Sequence, residues 1–424
     1  MMSLNPNDQN YAEDSVIRKR SFDGSQAISK PGLNQLTPVI SLTSNDNFKS
    51  KTKGSRSLRS KLTTMPIDIK AIIGYGVFIV VAIVVAIPIV CLTEPKNTNT
   101  TTTNSSGSTA INVSSLRWML KATTVAGISD EQNNDDKRLS FCTGLALDLS
   151  NGIYVSDYQN NRIQKWAMYA RRSKTVAGQM NGTVGSTMAT LNFPTKVTVD
   201  LNGNIYVTDS ENHRVQLWSD GGLAGTTVAG VAGTLNNELN TPWGIATDSK
   251  SNTFYVSDSY NNRIMRYQSG LMNGTLVAGG NGPGKGTTQL FLPRGLYFDS
   301  TSNSLIITNF ACNNIVRWIL GSDHWTLLAG SINGELGTTS TLLYYPSDVF
   351  LDRLGNLYVA DTYNHRIQFF ISGQTNGTTV AGVTSKPGVD PNLLDFPHSI
   401  VVDNQFSLYV ADSGNYRIQK FLRS

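Results

Sequence analysis

The sequence has little cysteine and little histidine for a chain of 424 residues. No two of its three cysteines, Cys91, Cys142 and Cys312, are spaced as a CxxC pair. Three cysteines cannot build a disulfide framework, and the unpaired spacing gives no signature of zinc or redox chemistry. The four histidines are scattered, so a histidine-rich zinc site is poorly supported. No cofactor or metal is expected, although a structural or channel calcium ion stays open.

Residues 71–424 lack an excess of positive charge. The formal charge of +5 arises in residues 1–70, which carry 11 Lys/Arg against 6 Asp/Glu, while the remainder carries 24 of each. Basic surface supplies most of the non-specific affinity for nucleic acid. A nucleic-acid partner is therefore not expected.

One long apolar run is present, AIIGYGVFIVVAIVVAIPIVCL at residues 71–92, without a charge. At 1.5 Å per residue it can cross a hydrocarbon core of about 30 Å, and it has no polar stripe of the kind that a soluble helix shows. A largely polar segment of 70 residues precedes it, so a cleaved signal peptide is disfavoured. We expect a transmembrane signal-anchor helix that follows a disordered cytoplasmic tail at residues 1–70.

The flanks of this run differ in charge. Basic residues crowd its N-terminal side, at Lys51, Lys53, Arg56, Arg59, Lys61 and Lys70. The other side has only Glu94 and Lys96 before Arg117. The positive-inside rule predicts a single-pass type II membrane protein with a cytosolic N-terminus. The rest of the chain is then extracellular or in the secretory lumen, and the sequence does not tell which membrane holds it.

Glycosylation acceptors support the same orientation. Residues 1–70 contain no N-x-[ST] site, whereas six follow the apolar run, at Asn99, Asn104, Asn112, Asn181, Asn273 and Asn376. These six are the candidate glycosylation sites. Residues 93–122 are rich in Thr, Ser and Asn, so a flexible stalk is expected there.

From residue 123 onward one pattern recurs about every 51 residues. The marker is a polar residue after a YVAD-like strand, at Asp157, Asp209, Asp258, Asn309, Asp361 and Asp412. Each copy holds an apolar strand a, the YVAD-like strand b, an R(I/V)Q strand c and a TVAG-like strand d. Four strands per repeat at this period are typical of a β-propeller.

The number of blades follows from an offset between the two ends of the repeat region. Six TVAG-like strands start near Thr124, Thr175, Thr227, Leu276, Leu327 and Thr379. Six copies of strands a to c also occur, but they finish last, at Phe421. The first TVAG strand must therefore complete the last blade. The predicted fold is all-β, a six-bladed propeller at residues 123–424 closed by an N-terminal strand.

The repeat resembles the NHL-repeat family. The likeness is carried by a Pro-x-Gly slot before strand a, the YVAD-like strand, and Asn-His-Arg-(Ile/Val) at 212–215 and 364–367. It covers roughly residues 123–424 and implies a six-bladed propeller. Similar propellers serve as protein-binding, RNA-binding and enzymatic domains, so the resemblance leaves function open.

Most recurring polar residues are predicted to be scaffold. The Asp and Arg of strands b and c, such as Asp209 with Arg214, recur in five blades. We expect each carboxylate to accept backbone N–H groups of the following turn and to pair with the Arg. Two further groups are read as turn residues and not as ligands: His213 and His365, expected to be exposed, and the calcium-like triplet Asp200, Asn202 and Asn204.

Ligand-binding candidates are sought where the blades differ. The first set follows the Pro slot and is expected to ring the channel entrance: Thr143, Thr195, Trp243, Arg294, Ser347 and His398, with neighbours Lys196 and Asp348. The second lies in the turns between strands b and c and is expected on the same face: Tyr158, Tyr260, Phe310 and Tyr363. Aromatic rings with scattered polar groups suit recognition. The alternative is that the rings only pack across neighbouring blades.

Two functions stay open. The leading prediction is a membrane-tethered binding module for a protein, peptide or glycan ligand on the propeller face. The alternative is a hydrolase or lyase with a metal in the central channel, for which Asp348 with His398 is the suggestive pairing. The shortage of histidine makes an enzyme the less favoured reading.

Overall fold

The computed structural model describes residues 116–128, 135–248 and 250–424. Within these ranges no helix is both long and apolar enough to cross a membrane. The apolar run at residues 71–92, the tail before it and most of the proposed stalk lie outside the described residues. The membrane anchor and its orientation therefore stay predictions.

The described residues form six antiparallel sheets of four strands, and each sheet is one blade. The innermost strands, a, are β2 (Cys142–Leu147), β6 (Pro194–Val199), β10 (Pro242–Asp248), β14 (Pro293–Asp299), β18 (Asp348–Leu351) and β22 (Pro397–Val402). Strands b are β3 (Ile153–Asp157), β7 (Ile205–Asp209), β11 (Thr253–Asp258), β15 (Ser304–Asn309), β19 (Leu357–Asp361) and β23 (Leu408–Asp412). The six-bladed, all-β propeller is confirmed.

The outer half of each blade holds strands c and d. Strands c are β4 (Arg162–Trp166), β8 (Arg214–Trp218), β12 (Arg263–Gln268), β16 (Asn314–Ile319), β20 (Arg366–Phe370) and β24 (Arg417–Phe421). Strands d are β1 (Thr123–Gly127), β5 (Lys174–Gly178), β9 (Thr226–Ala229), β13 (Thr275–Gly279), β17 (Trp325–Gly330) and β21 (Thr378–Gly382). Blades 1 to 6 are numbered by their strand a, from β2 to β22.

Strand β1 completes blade 6. It pairs antiparallel with β24, with Thr123 opposite Lys420 and Gly127 opposite Arg417, as the offset between the chain ends predicts. The preceding residues 116–122, assigned to the stalk by composition, also contact the propeller. The indole Nε1 of Trp118 donates to Phe406 O at 2.7 Å, and Leu116 is buried in the same cluster.

Blade cores lie between neighbouring sheets. Strand b is buried along its whole length in most blades, as in β3 and β19, because each sheet is covered on both faces. The hydrophobic clusters accordingly join adjacent blades; one contains Ile205 and Trp218 of blade 2 together with Tyr154 of blade 1. Strand b therefore shows no alternation of buried and exposed residues.

The propeller has two distinct faces. Strand a begins beside the end of strand b, as Pro242 opposite Asp258 shows. At this turn face each blade carries a single 3-10 turn between strands b and c: Tyr158–Asn160, Ser210–Asn212, Ser259–Asn261, Phe310–Cys312, Thr362–Asn364 and Ser413–Asn415. The opposite face, the hairpin face, carries the connections from a to b and from c to d.

Candidate functional site

A repeated latch holds the turn face together. In blade 5, Arg366 Nε donates to Asp361 Oδ2 at 2.8 Å, and its terminal nitrogens donate to the carbonyls of Thr338, Thr339 and Leu342. The same ion pair occurs in the other four charged blades. The predicted scaffold role is therefore confirmed.

The partner of the second carboxylate oxygen differs from the prediction. Asp361 Oδ1 accepts the N–H of Tyr344, 17 residues earlier, and none of these carboxylates caps the turn that follows it. Burial raises the pKa of Asp157 to about 6 against the opposing effect of Arg162. The latch therefore joins the turn between strands b and c to the loop that leads into strand a of the same blade.

The histidines of the turns are not exposed, contrary to the prediction. His213 and His365 have left-handed backbones, with φ of 54° each. Their Nδ1 atoms accept the N–H of Thr241 at 3.1 Å and of Phe396 at 3.2 Å. Asn161, Asn262 and Asn313 make the equivalent contact through Oδ1. In these five blades the position joins one blade to the next and is scaffold.

Blade 4 replaces the whole latch by neutral residues. Asn309, Cys312 and Asn314 stand where the other blades have Asp, Asn and Arg. Asn309 Oδ1 still accepts the N–H of Phe291 at 2.7 Å, but Asn309 Nδ2 and Asn314 Oδ1 are buried without a hydrogen-bond partner among the described residues. Blade 4 therefore lacks both the negative and the positive charge of the latch.

The hydroxyls of the first candidate set do not ring an open channel. Thr143, Thr195 and Ser347 are at most 2% exposed. Each donates to backbone carbonyls at the start of the next inner strand: Thr143 to Thr195 O at 2.9 Å, Thr195 to Trp243 O at 2.9 Å and Ser347 to His398 O at 2.9 Å. These side chains hold neighbouring blades together, and a role in ligand contact stays a prediction for them.

His398 is buried at 4% exposure. Its Nδ1 lies 2.9 Å from Phe396 O and donates to it. Burial lowers the pKa of His398 to about 4, although the bond to Phe396 opposes this, and the positive charge of Arg294 lowers it further. The imidazole is therefore neutral at physiological pH. Its polar contact is to backbone and not to the Asp348 carboxylate with which the sequence suggested pairing.

Trp243 and Arg294 form the distinctive part of the first set. The guanidinium carbon of Arg294 lies 4.0 Å from the ring centre of Trp243 and 3.5 Å from that of Phe310. Both stacks are within the range of a cation–π interaction. The structure thus joins members of both predicted sets, from blades 3 and 4, on the turn face.

The second set occupies two different register positions. Tyr158 and Phe310 directly follow strand b, where other blades have Ser or Thr that bind the next blade, as Ser259 does to Pro293 O at 2.6 Å. Tyr260 and Tyr363 lie one residue later. Tyr260 is 42% exposed and Phe310 only 1%.

Sequence reasoning missed four aromatic residues that stand immediately before the Pro slot at the mouth of strand a. Phe141, Phe193, Tyr345 and Phe396 are half-buried and have left-handed φ values from 46° to 50°. All six blades adopt this conformation at that position, which is unusual for bulky residues. The available signal was the residue before the Pro slot, which holds Cys142 in blade 1 and proline in the other three of these blades. The prediction considered only the residue after that slot.

These rings and the predicted aromatics stack into an aromatic belt on the turn face. Its members in spatial order are Phe193, Tyr158, Phe141, His398, Phe396, Tyr363, Tyr345, Phe310, Arg294 and Trp243. The aromatic neighbours lie 4.7 to 6.3 Å apart between ring centres, and His398 reaches Phe396 through its hydrogen bond. The aromatic turn residues in the belt do pack across blades, as Tyr158 of blade 1 does against Phe193 of blade 2.

A polar cluster crosses the channel. Lys196 Nζ of blade 2 contacts Asp348 Oδ2 of blade 5, the opposite blade, and lies 2.9 Å from Ser399 Oγ. Ser399 Oγ donates to Asp348 Oδ2 at 2.5 Å and accepts the N–H of Leu145 at 3.1 Å. The sequence indicates this cluster only at the third residue of the Pro-x-Gly slot, where blades 2, 5 and 6 have Lys, Asp and Ser in place of glycine.

Glycine at this slot is explained by close approach of the next blade. A Cβ at Gly244 would lie 2.1 Å from Arg294 O, and one at Gly295 would lie 2.6 Å from the Asp348 Cα. The blades that lack glycine place longer side chains toward the channel instead. Below them a cavity of about 260 Å³ is lined by the inner strands of all six blades, with Lys196 among its lining residues.

The chemistry available in the channel can be read from its hydrogen bonds. Ser399 Oγ accepts two bonds and donates one, so both of its lone pairs are engaged and it is not poised as a nucleophile. Among the described residues no three His, Cys, Asp or Glu side chains converge as metal ligands do.

The calcium-like triplet on the hairpin face is a turn, as predicted. Asp200 accepts the backbone N–H groups of Asn202 and Asn204.

The remaining predicted residues fall on the surface or in the core. Asn181, Asn273 and Asn376 are exposed, whereas Asn99, Asn104 and Asn112 lie outside the described residues. Cys142 and Cys312 are buried free thiols, and burial raises the pKa of Cys312 to about 11. Neither thiol is activated as a nucleophile.

Four segments of the chain match the family described as NHL repeat, at residues 191–217, 239–267, 343–370 and 394–421. They correspond to blades 2, 3, 5 and 6. The chain therefore contains NHL repeats, as the sequence motifs indicated. A search of curated proteins returned no match.

Solved propellers of low sequence identity share the fold. A Bacteroides thetaiotaomicron protein of unknown function is 17% identical over 72% of this chain and 76% of that one, with a TM-score of 0.59. An auxiliary nutrient binding protein from the same organism is 15% identical over 73% and 77%, with 0.55. A Xanthomonas campestris gluconolactonase is 14% identical over 72% and 94%, with 0.50. These likenesses show the fold alone.

Proposed function

We propose that this NHL-repeat propeller is the outer, ligand-binding domain of a single-pass type II membrane protein, and that its turn face recognises a protein, peptide or glycan. The apolar run at residues 71–92 would anchor the chain with its N-terminus in the cytosol. The propeller would then stand in the extracellular space or in the secretory lumen.

The observation that carries the binding proposal is the aromatic belt. Trp, Tyr and Arg are the side chains enriched at the centres of protein interfaces, because they offer large rigid surfaces with polar edges. Here Arg294 stacks between Trp243 and Phe310, and Tyr345 connects Phe310 to Tyr363. Tyr260 lies in the turn of blade 3 on the same face. The auxiliary nutrient binding proteins among the similar structures are consistent with a binding role for such a propeller.

The competing function is a channel hydrolase or lyase. A gluconolactonase is among the propellers of similar fold. The polar groups of the channel, Lys196, Asp348 and Ser399, are instead bonded to one another. Metal analysis of the purified full-length protein tests this alternative, and a stoichiometric metal that Asp348→Asn removes would favour it over the binding proposal.

The binding proposal is tested with full-length protein displayed on cells and cross-linked to neighbouring molecules. We expect Trp243→Leu and Arg294→Gln to remove a specific partner that the wild type captures. Leu223→Ala is the matched control, since Leu223 is 90% exposed in the connection between β8 and β9 on the hairpin face. Equal capture by all three variants would reject the turn face as the binding surface.

The topology is tested through the exposed acceptors Asn181, Asn273 and Asn376. Expressed in eukaryotic cells, the full-length chain should lose mass on endoglycosidase treatment, and each Asn→Gln substitution should remove one step. Protease added to intact microsomes should spare the propeller. An unglycosylated chain whose propeller is digested would overturn the proposed orientation.

A further inference from the structure

The hairpin face contains an ammonium site that the protein fills with its own lysine in blade 1. Lys165 Nζ lies 2.9 Å from Asp148 Oδ2 and 2.7 Å from Tyr154 OH. It also stands 4.6 Å from the centre of the Tyr154 ring. Partial burial alone would lower the pKa of Lys165, but the bonds to Tyr154 and Asp148 raise it. A carboxylate and a phenol oxygen together hold one primary ammonium group, which lies beyond the hydroxyl at the edge of the ring.

Blade 6 repeats this arrangement. Lys420 Nζ lies 2.6 Å from Tyr409 OH, 3.6 Å from Asp403 Oδ2 and 4.6 Å from the Tyr409 ring centre. In both blades the Lys of strand c is paired directly with the Tyr of strand b, and the Asp directly follows strand a. The same three-residue geometry therefore binds an ammonium group twice within one molecule.

Blade 2 keeps the carboxylate and the tyrosine but lacks the lysine. Asp200 and Tyr206 occupy the equivalent positions, and the residue paired with Tyr206 is Leu217. Asp200 accepts bonds from its own turn, including one from Asn204 Nδ2 at 2.9 Å. Leu217 packs against the cluster that contains Tyr206, so its side chain supplies apolar contact and no charge.

A cavity of about 230 Å³ opens beside this pair, between blades 2 and 3. Its lining includes Asp200, Tyr206, Phe254 and a second carboxylate, Asp248, and no Lys or Arg. The Tyr206 and Phe254 rings lie 5.4 Å apart, which gives the cavity an aromatic wall. Its volume is below the roughly 300–1,000 Å³ of sites for drug-sized ligands, so it suits a small group.

The other blades do not offer this combination. Blade 5 also lacks the lysine, but Trp118 packs edge-on and Phe369 at a tilt against Tyr358, and Asp352 is only 7% exposed. In blades 3 and 4 the position paired with strand b carries Arg266 and Arg317. An Asp–Tyr pair without its own cation and beside a cavity is thus a feature of blade 2 among the described residues.

We propose that the cavity between blades 2 and 3 binds a primary ammonium group on a short alkyl chain, held by the Asp200 carboxylate and the Tyr206 hydroxyl. That hydroxyl also hydrogen-bonds Ser269, and a phenol oxygen has two lone pairs with which to accept. The ammonium would take the place that Lys165 and Lys420 occupy in their blades, and its alkyl chain would rest on Tyr206 and Phe254. The source is a free alkylamine or the lysine side chain of a partner. This site lies on the hairpin face and does not depend on ligand binding at the turn face.

The test is titration of full-length protein with n-butylammonium, followed by NMR of the ligand and by calorimetry. A millimolar dissociation constant is the scale expected for so small a ligand. Leu217→Lys should abolish binding, because the new ammonium occupies the site from within as in blades 1 and 6. Leu217→Met is the matched control and should bind as the wild type does. Asp200→Asn should weaken binding at least about tenfold.

A gain of function provides an independent check. Lys165→Leu vacates the equivalent place in blade 1 and should raise the stoichiometry from one amine to two. No saturable binding by the wild type, or equal binding by Leu217→Lys and Leu217→Met, would overturn the proposal. A lysine-containing peptide and its acetyl-lysine form distinguish the sources: selective binding of the unmodified peptide assigns a protein lysine, and binding of butylammonium alone assigns a free amine.

Discussion

Blades 4 and 5 are neighbours with the same backbone and different chemistry at the turn face. Blade 5 holds its entering loop with the charged pair Asp361 and Arg366. Blade 4 makes the same turn with Asn309 and Asn314, and both buried amides keep an unsatisfied atom. Asp361 Oδ1 and Asn309 Oδ1 make the same bond to a backbone N–H, so the acceptor is required and the charge is not.

The largest expected effect comes from removing the acceptor in the charged blade. Asp361→Ala leaves the buried Arg366 without its counter-ion, and we expect the free energy of unfolding to fall by about 3–5 kcal/mol. Asn309→Ala in blade 4 removes the corresponding acceptor without stranding a charge, and the expected loss is about 1–3 kcal/mol. Denaturant unfolding of the two variants measures the difference. Equal losses would show that the charge adds nothing to the latch.

The second effect concerns His398, which stands where blades 1, 2 and 5 have buried hydroxyls. Its pKa is about 4 in the folded protein and 6.5 in the reference state, so the unfolded chain binds the proton more tightly. Keeping His398 neutral contributes to the free energy of unfolding above pH 6.5. This contribution is lost as pH falls toward 4, by about 3 kcal/mol in total. The measurement is the free energy of unfolding against pH.

His398→Leu should flatten that dependence between pH 6.5 and 4. His324→Gln is the matched control, because the His324 side chain is 58% exposed, and it should leave the slope unchanged. An unaltered slope in His398→Leu would show that other groups carry the acid sensitivity.

The third effect tests whether blade 4 tolerates charge. Asn309→Asp introduces a buried carboxylate without a guanidinium, and we expect a loss of about 1–3 kcal/mol at neutral pH. Adding Asn314→Arg should recover most of this loss by rebuilding the latch of blade 5. A double-mutant cycle measures the coupling. Zero coupling would mean that the two positions no longer face each other in blade 4.

The smallest expected effect on stability comes from the aromatic belt. Trp243→Leu should change the free energy of unfolding by less than about 1 kcal/mol, because the side chain is half-buried and apolar contact is retained. Thermal unfolding checks this value. A large loss would place Trp243 with the scaffold and would weaken its assignment to recognition.

Repetition explains which parts of the molecule could be predicted from the sequence. The blade count, the closure by Thr123–Gly127 and the Asp361–Arg366 pair each follow from a pattern that recurs along the chain. Lys196, Asp348 and Ser399 could be seen only as departures from glycine, because their contact requires opposite blades to meet across the channel. The burial of Thr143 and Thr195 was likewise invisible, since it depends on the carbonyls of the next blade.

The proposed recognition by the turn face is tested most directly by the dissociation constant of the partner that the full-length protein captures. We expect Trp243→Leu and Arg294→Gln each to weaken that partner at least about tenfold, as substitutions at an interface centre do, with Leu223→Ala unchanged. Wild-type affinity in both turn-face variants, or a loss in Leu223→Ala alone, would contradict it.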